Sequence, residues 1–261
     1  MPGASDRLCV VLVGVRNPLN IGAAARAMSN FGFLRLRLVN PYHVAFREAR
    51  SAVGAASLLA DAEEFSSVAD AVADCTLVVG TTAVRHRELQ HPLRRLEYGA
   101  RLIRKQLATG RVALMFGTEK TGLSNDDLSY CHWLMNIPTR EQHISMNLGQ
   151  AVAVCLYELV LDAKRATAAK KPAKKEKLEK RATAGEVERI SDGLLEALHR
   201  SGYVKPIAAA STEERVRRML RRMNLSSRDA ELWLGMLRQI LWKMKTPEPQ
   251  KKNPPPTGGK Q

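Results

Sequence analysis

The sequence predicts an α/β fold, a parallel sheet covered by helices on both faces, followed by a small all-α C-terminal domain. Three observations support this prediction. Short aliphatic runs alternate with helical stretches over residues 1–163, which is the pattern of βαβ units. Apolar residues then recur at helical spacing in residues 183–245. The chain has 261 residues and 45% hydrophobic content, enough for one substantial core and a second small one.

Five aliphatic or β-branched runs are each typical of a buried parallel strand. They are Leu8–Val13, Leu34–Val39, Leu77–Val79, Val112–Phe116 and Trp133–Ile137. Between these runs the sequence favours helices at Ala23–Phe31, Ser67–Ala73, Leu96–Ala108 and Leu148–Ala163. We therefore expect residues 1–163 to form one α/β domain.

The rest of the chain divides into a linker, a helical domain and a tail. Residues 164–182 are rich in Lys, Ala and Glu, a composition that cannot close a core, so we interpret them as a basic linker. Residues 183–245 are predicted to form three amphipathic helices. Capping-box spacing indicates the starts of the last two, at Ser211 with Glu214 and at Ser226 with Asp229. The proline-rich residues 246–261 are predicted to be a disordered tail.

The positive charge lies in the C-terminal part of the chain. The formal net charge is +15, yet residues 1–163 hold 17 Lys and Arg against 15 Asp and Glu. A near-neutral body with a basic appendage is typical of a protein that binds nucleic acid through its phosphates. The second C-terminal helix is expected to expose Arg215, Arg217, Arg218, Arg221 and Arg222. We name Arg215, Arg218 and Arg222 as RNA-binding candidates, together with Arg26 in the N-terminal part. A merely solvated arginine face is the alternative for the three residues of the helix.

Several classes of site and location are not supported. The four cysteines stand singly with no CxxC pair, so neither a zinc knuckle nor a disulfide framework is indicated. The dipeptide Cys131-His132 lacks companion ligands at metal spacing, and no metal is expected. The apolar run from Leu8 to Val15 is too short for a membrane span. We expect a soluble, cytoplasmic protein without a membrane partner.

Three segments carry the residues that chemistry would need: Asn17–Arg26, Phe116–Ser124 and Ile144–Val152. Each follows a predicted strand or opens a predicted helix, and ligands of parallel sheets bind beyond the carboxyl ends of the strands. The fold should therefore gather the segments into one pocket. Gly117 and Gly122 have the spacing of a phosphate-binding P-loop, but Leu123-Ser124 stand where Lys and Ser or Thr are required, so ATP hydrolysis is not supported.

Together, and in this order, the three segments resemble the SpoU/TrmH branch of the SPOUT superfamily, RNA ribose 2′-O-methyltransferases that use S-adenosylmethionine. The resemblance covers roughly residues 7–162 and is greatest to the tRNA enzymes that methylate nucleotide 32 of the anticodon loop. It implies a C-terminal trefoil knot tied by the stretch from about Leu77 to Ala163. It also implies a homodimer with active sites beside the dimer interface.

The resemblance implies roles for individual residues. Arg26 matches the family's catalytic arginine, and Asn20, Glu119 and Ser145 complete the catalytic candidates. The positions that match the cofactor loops are Thr81, Thr82, Ala83, Gly117, Ile137, Ile144, Ser145, Met146 and Asn147. Gly122 joins them because glycines at 117 and 122 would let the backbone approach a flat ligand closely.

The residues themselves suggest how these groups would act. We expect a helix to start near Gly22, so that Arg26 lies one turn in and phosphate can sit at the helix N-terminus. Because guanidinium stays protonated, we favour orientation and electrostatic stabilisation by Arg26 over general-base catalysis. Glu119 is expected to pin Asn20 or to meet the RNA. Ser145 could align the acceptor ribose, and Ser-x-Asn at Asn147 would by itself indicate a helix N-cap.

The sequence is compatible with three functions. The first is 2′-O-methylation of tRNA, which the C-terminal helical appendage favours. The second is the same chemistry on ribosomal RNA, since the branch shares these motifs and differs in its extensions. The third is a catalytically silent RNA-binding protein that keeps the fold, against which the completeness of the three segments argues.

Overall fold

The computed structural model describes residues 5–42, 56–83, 90–166 and 180–245. Its centre is a sheet of seven strands: β1 (Leu8–Val13), β2 (Arg35–Val39), β3 (Glu63–Phe65), β4 (Leu77–Thr81), β5 (Leu93–Arg95), β6 (Val112–Phe116) and β7 (Trp133–Asn136). All neighbouring strands are parallel, in the order β3-β2-β1-β6-β4-β7-β5. The predicted α/β class is confirmed.

The five predicted strands are present with ends that differ by at most two residues. The two strands that were not predicted, β3 and β5, lie at the edges of the sheet and are three residues long. Each pairs on one side only and contains charged residues, so neither forms an apolar run. The trefoil knot stays a prediction.

Six helices surround the sheet: α1 (Pro18–Phe31), α2 (Ala56–Ala60), α3 (Val68–Val72), α4 (Leu96–Leu107), α5 (Asn125–Ser129) and α6 (Leu148–Ala166). Side chains from α1, α2, α4 and α6 form the core on one face. Side chains from α3 and α5 form the core on the other. The central strands β1 and β6 are buried along their whole length, as expected for a parallel sheet covered on both faces.

Three further helices form the predicted helical unit: α7 (Ala184–Arg200), α8 (Ala209–Met223) and α9 (Ser227–Lys245). Their shared core includes Ile190, Leu220 and Leu237. The backbone N–H groups of Ala184 and Gly185 donate to the carbonyls of Cys75 (2.7 Å) and Ala73 (2.9 Å), so the unit docks beside α3. In the described parts of the chain, no helix is long and apolar enough to cross a bilayer.

One predicted helix start is confirmed and one is wrong. The Ser226 hydroxyl accepts from the Asp229 N–H at 3.2 Å, and Asp229 accepts from the Ser226 N–H at 3.4 Å. Ser211, by contrast, lies inside α8, and its hydroxyl donates to the Ala208 carbonyl at 3.1 Å. The division into domains stays a prediction, because residues 167–179 of the linker and the predicted tail 246–261 lie outside the described residues.

Candidate functional site

A cavity of about 510 Å³ lies at the carboxyl ends of β4, β6 and β7. Its walls are the loops that follow these strands and the segment that precedes α6. All ten positions predicted to bind a cofactor line it: Thr81, Thr82, Ala83, Gly117, Gly122, Ile137, Ile144, Ser145, Met146 and Asn147. The fold therefore brings the three sequence segments together, as predicted.

A chain of hydrogen bonds joins the three segments at the cavity. The Asn20 amide donates to Glu119 Oε1 at 3.0 Å, and the Asn147 amide donates to Asn20 Oδ1 at 2.8 Å. The predicted contact between Glu119 and Asn20 is thus present. Asn147 also accepts from the backbone N–H of Gly149 at 3.0 Å, so it caps α6 as its sequence context suggested. Asn20 is the central residue of this chain of hydrogen bonds, so it links the segments that contain Glu119 and Asn147.

The start of α1 differs from the prediction. The helix does not begin near Gly22 but at Pro18, with Asn17 as N-cap and its Oδ1 accepting from the Leu19 N–H at 2.9 Å. Proline suits this position because the first helical N–H needs no partner. Glu119 Oε1 also accepts from the Asn17 N–H at 3.3 Å. The carboxylate of Glu119 therefore lies at the positive end of α1, where we had predicted a phosphate.

Arg26 does not line the cavity, in contrast to the other three catalytic candidates. It lies on the exposed face of α1, six residues beyond Asn20, a distance of about 9 Å along a helix axis. No hydrogen bond or ion pair links Arg26 to the described residues. Its side chain is exposed on the outer surface of α1.

The loop after β6 folds back on itself. Thr118 and Gly122 exchange backbone hydrogen bonds of 3.2 and 2.9 Å, and Gly122 has a φ of +71°, which favours glycine. A Cβ on Gly117 would lie 2.1 Å from the carbonyl carbon of Gly122 and 2.2 Å from the N of Leu123. Glycine is therefore needed at 117 because the backbone of Gly122 and Leu123 occupies the space of a side chain. The prediction had given only the close approach of a flat ligand as the reason.

Hydrogen bonds between neighbouring strands fix the rim of the cavity. The Thr81 hydroxyl at the end of β4 donates to the Met115 carbonyl of β6 at 2.9 Å. The Thr82 N–H donates to the Met135 carbonyl of β7 at 3.0 Å. Ten further lining residues were not named as cofactor contacts: Phe116, Thr118, Lys120, Thr121, Leu123, Leu128, Met135, Thr139, Leu148 and Ala151. Seven of them lie inside the segments Phe116–Ser124 and Ile144–Val152, which were expected at the pocket. Only Leu128, Met135 and Thr139 lie outside the segments, and their places near the ends of strands and helices are the signal that the sequence carries for them.

The predicted arginine face of α8 is wrong for three of its five members. Arg221 is fully buried and donates to Glu188 Oε2 at 2.6 Å. The side chain of Arg218 is 9% exposed and pairs with Glu214 at 3.1 Å, so a phosphate would have to displace that carboxylate. Arg217 is also largely buried, whereas Arg215 and Arg222 are exposed. Acidic partners make burial of these charges possible: Glu214 one turn away on α8 for Arg218, and Glu188 on α7 for Arg217 and Arg221.

His132, whose sequence context indicated no metal site, is a packing residue. It is buried, and its Nδ1 accepts from the Val78 N–H at 3.1 Å. Burial lowers the pKa of His132 to about 3, which keeps the ring neutral. His143 is exposed and does not line the cavity. Within the described ranges, no three His, Cys, Asp or Glu side chains cluster as metal ligands would.

Residues 7–157 match the family model of the SpoU rRNA Methylase family. The chain belongs to this SpoU family. The resemblance predicted from the three segments is thereby confirmed.

Relatives in the SpoU family match nearly the whole chain. The tRNA (cytidine/uridine-2′-O-)-methyltransferase TrmJ of Sodalis glossinidius is 34% identical, over 92% of this chain and 94% of the relative. The tRNA (cytidine/uridine/adenosine-2′-O-)-methyltransferase TrmJ of Pseudomonas aeruginosa is 35% identical, over 89% and 93%. The crystal structure of TrmJ from Z. mobilis ZM4 superposes with a TM-score of 0.76 and 32% identity, over 89% and 98%. A match over 247 residues extends beyond α6, so the similarity includes the helical unit.

Proposed function

We propose that this protein is a tRNA ribose 2′-O-methyltransferase that uses S-adenosylmethionine. The substrate is a nucleotide of the anticodon loop, position 32, with cytidine, uridine or both as the base. The observation that carries the proposal is the cavity in which all ten predicted cofactor positions meet the Glu119–Asn20–Asn147 hydrogen-bond chain. The full-length similarity to enzymes named for tRNA methylation supports it.

The lining of the cavity fits S-adenosylmethionine. A volume of about 510 Å³ lies in the range of sites for ligands of this size. Met135, Ile137 and Met146 provide apolar walls for a flat base, while Thr81, Thr82 and Asn147 provide polar groups at the rim. When bound, S-adenosylmethionine supplies a methyl group already activated on a sulfonium, so the protein's main task is to orient the acceptor oxygen.

The chain's own residues divide this task. Glu119 fixes Asn20 and the start of α1, and Asn147 fixes the start of α6. Ser145 is exposed at the cavity, where its hydroxyl can align the acceptor ribose. Arg26 stays protonated at ordinary pH, so its role is to bind the RNA backbone and to stabilise negative charge on the 2′-oxygen as that oxygen loses its proton to solvent water.

Exposed apolar side chains on α1 and α6, near Arg26, support a homodimer. Leu19 on α1 and Tyr157 on α6 are 78% and 52% exposed, and α1 and α6 are packed against each other. Large apolar side chains exposed on adjacent helices are typical of a protein interface. A second subunit bound there would close the active site beside Arg26. A tRNA substrate also implies a cytoplasmic enzyme.

Ribosomal RNA is the alternative substrate, and the description of the family itself names rRNA. The helical unit favours tRNA because relatives that match it are tRNA enzymes by name. Arg215 and Arg222 are its exposed candidates for phosphate contacts.

The test is transfer of an isotopically labelled methyl group from S-adenosylmethionine to purified tRNA and, in parallel, to ribosomal RNA. Methylation of a 2′-oxygen removes the nucleophile that alkali needs to cleave the adjacent phosphodiester, so the label should survive in alkali-resistant dinucleotides. Arg26→Ala should abolish transfer and leave binding of S-adenosylmethionine intact. Label confined to ribosomal RNA would reassign the substrate, and no label on either RNA would favour the silent RNA-binding protein.

A further inference from the structure

We infer that Arg217 is a positioning residue that locks the arginine helix α8 to the wall of the cofactor cavity. The inference that Arg217 docks α8 against α5 rests on the contacts of Arg217 alone. The consequence of this docking for catalysis rests on the proposed function. Arg217 lies between Arg215 and Arg222 in sequence, but its side chain is only 11% exposed and is directed into the protein rather than toward RNA.

One guanidinium connects three helices. Arg217 Nε donates to Glu188 Oε1 of α7 at 2.9 Å. Its Nη1 donates to Ser129 Oγ and to Asp126 Oδ1 of α5, at 3.0 and 3.3 Å. The guanidinium carbon also lies 4.5 Å from the ring centroid of Tyr130, the residue that caps the end of α5, within the range of a cation–π contact.

These contacts differ in strength because their solvent exposure differs. Asp126 is 67% exposed, so water and salt screen its attraction to Arg217. Ser129 is fully buried and Glu188 is 14% exposed, so both contacts lie in a region of low dielectric where hydrogen bonds to a charge are strong. The Tyr130 ring covers a guanidinium face, and stacking on an aromatic ring requires the planar shape of arginine.

Arg221, one turn further along α8, provides a contrast. It shares Glu188 with Arg217, but its second hydrogen bond goes to the Ala184 carbonyl of α7 at 2.8 Å. Both of these partners of Arg221 belong to the helical unit itself. Arg217 is the arginine that reaches across from this unit to α5.

The helix that Arg217 holds is part of the cavity wall. Leu128 of α5 lines the cavity, and α5 begins two residues after Leu123, which is also a lining residue. A capping box between Ser124 and Asp127 fixes the first turn of α5, with bonds of 2.8 and 3.1 Å. A rigid path thus connects the loop after β6, through α5 and Arg217, to the helix that exposes Arg215 and Arg222.

Such a connection would raise the effective concentration of the acceptor ribose at the cavity. If α8 binds phosphates, tRNA captured by a fixed helix is presented in one register, whereas an undocked helix presents it in many. We therefore expect Arg217→Ala to lower kcat on tRNA about tenfold. The KM for tRNA should change less than threefold or so, because the exposed arginines still bind phosphates. The Kd of S-adenosylmethionine should stay within about twofold of the wild-type value, since α5 contributes only Leu128 to the described lining of the cavity.

The experiment compares Arg217→Ala, Tyr130→Ala and the double variant in the full-length protein, with Arg189→Ala as control. Arg189 is exposed on α7, so this variant removes the same charge without touching the contact and should behave as wild type. Tyr130→Ala leaves the Arg217–Glu188 pair intact, which protects the test against unfolding of the helical unit. Because Tyr130 acts through its contact with Arg217, the double variant should lose no more kcat than Arg217→Ala alone. Arg217→Lys should have a kcat between those of the wild type and Arg217→Ala. The ammonium keeps the positive charge, but it cannot stack on the ring or donate several hydrogen bonds in one plane.

Two readouts separate this inference from the proposed function. Hydrogen exchange of the α5 amides should accelerate in Arg217→Ala and Tyr130→Ala but not in Arg189→Ala, whether or not any RNA is methylated. Unchanged exchange in α5 would overturn the docking role. If exchange accelerates but kcat of Arg217→Ala on tRNA stays at the wild-type value, the positioning role is overturned while docking stands. The same holds if the double variant loses clearly more kcat than Arg217→Ala alone. If the wild type methylates no RNA, the proposed function fails and the exchange result still decides the docking.

Discussion

Replacing Gly117 by alanine is the sharpest test of how the cavity is built. The added Cβ would lie 2.1 Å from the carbonyl carbon of Gly122, whereas ordinary contacts begin near 3.4 Å. The Gly122–Leu123 backbone would have to move by about 1.3 Å, and backbone cannot rotate away as a side chain can. Both of these residues line the cavity, so the movement changes the shape of the ligand site.

The size of the effect follows from the cost of overpacking. Extra methyl groups in tightly packed positions cost about 1–3 kcal/mol. If the loop bears that cost when it adopts its ligand-binding shape, the affinity for S-adenosylmethionine falls by between about fivefold and roughly 150-fold. Isothermal titration of S-adenosylmethionine into wild type and Gly117→Ala measures this loss directly.

A matched control separates the clash from a general loss of stability. Gly32 has a φ of +75° and open space around its Cβ position, at the far end of α1. Gly32→Ala should lower the free energy of unfolding by about 1 kcal/mol through backbone strain and leave cofactor affinity unchanged. Binding by Gly117→Ala within twofold of the wild-type affinity would refute the reasoning about the loop.

Three further predictions concern other parts of the molecule. Glu119→Ala removes the acceptor of two hydrogen bonds, each contributing about 1 kcal/mol, so kcat/KM should fall roughly thirtyfold in steady-state methylation assays; a change below threefold would contradict the bridging role. Because the pKa of His132 is about 3 in the fold against about 6.5 in the unfolded chain, the unfolded state gains the proton first on acidification. The free energy of unfolding should therefore fall by up to about 1.4 kcal/mol per pH unit between pH 6.5 and 3; chemical denaturation at several pH values should show a flatter profile for His132→Asn, which keeps an acceptor, and equal profiles would contradict the assignment. Replacing Arg215 and Arg222 together by alanine should reduce the slope of log K for tRNA against log salt by about 0.7–0.9 per lost contact, whereas Arg238→Ala on α9 should not.

The sequence predicted the parts of the fold that follow apolar periodicity. The five buried strands and the gathering of the three segments at one edge of the sheet are such features, because continuous aliphatic runs require burial on both faces. The edge strand Leu93–Arg95 has no such signature, since it pairs on one side and is largely exposed. The start of α1 was predicted near Gly22, because glycine often marks a helix boundary, but the helix begins at Pro18. Asn17 followed by Pro18 is the stronger signal of a helix start.

Side-chain partners across the chain were the least predictable feature. The helical periodicity of α8 places Arg221 on a charged face, and only the position of Glu188 on α7 explains its complete burial. Arg217 likewise depends on Ser129 and Tyr130, which lie 88 and 87 positions earlier in the sequence. The contact between Asn20 and Glu119 could be anticipated because the family resemblance already placed both residues in one pocket.

The most direct test of the central proposal is mass-spectrometric mapping of ribose methylation in tRNA incubated with the purified protein and S-adenosylmethionine. We predict one new 2′-O-methyl group, on a pyrimidine at position 32 of the anticodon loop, and none with the Arg26→Ala variant under the same conditions. Methylation outside the anticodon loop, or no methylation by a protein that binds both S-adenosylmethionine and tRNA, would contradict the proposed function.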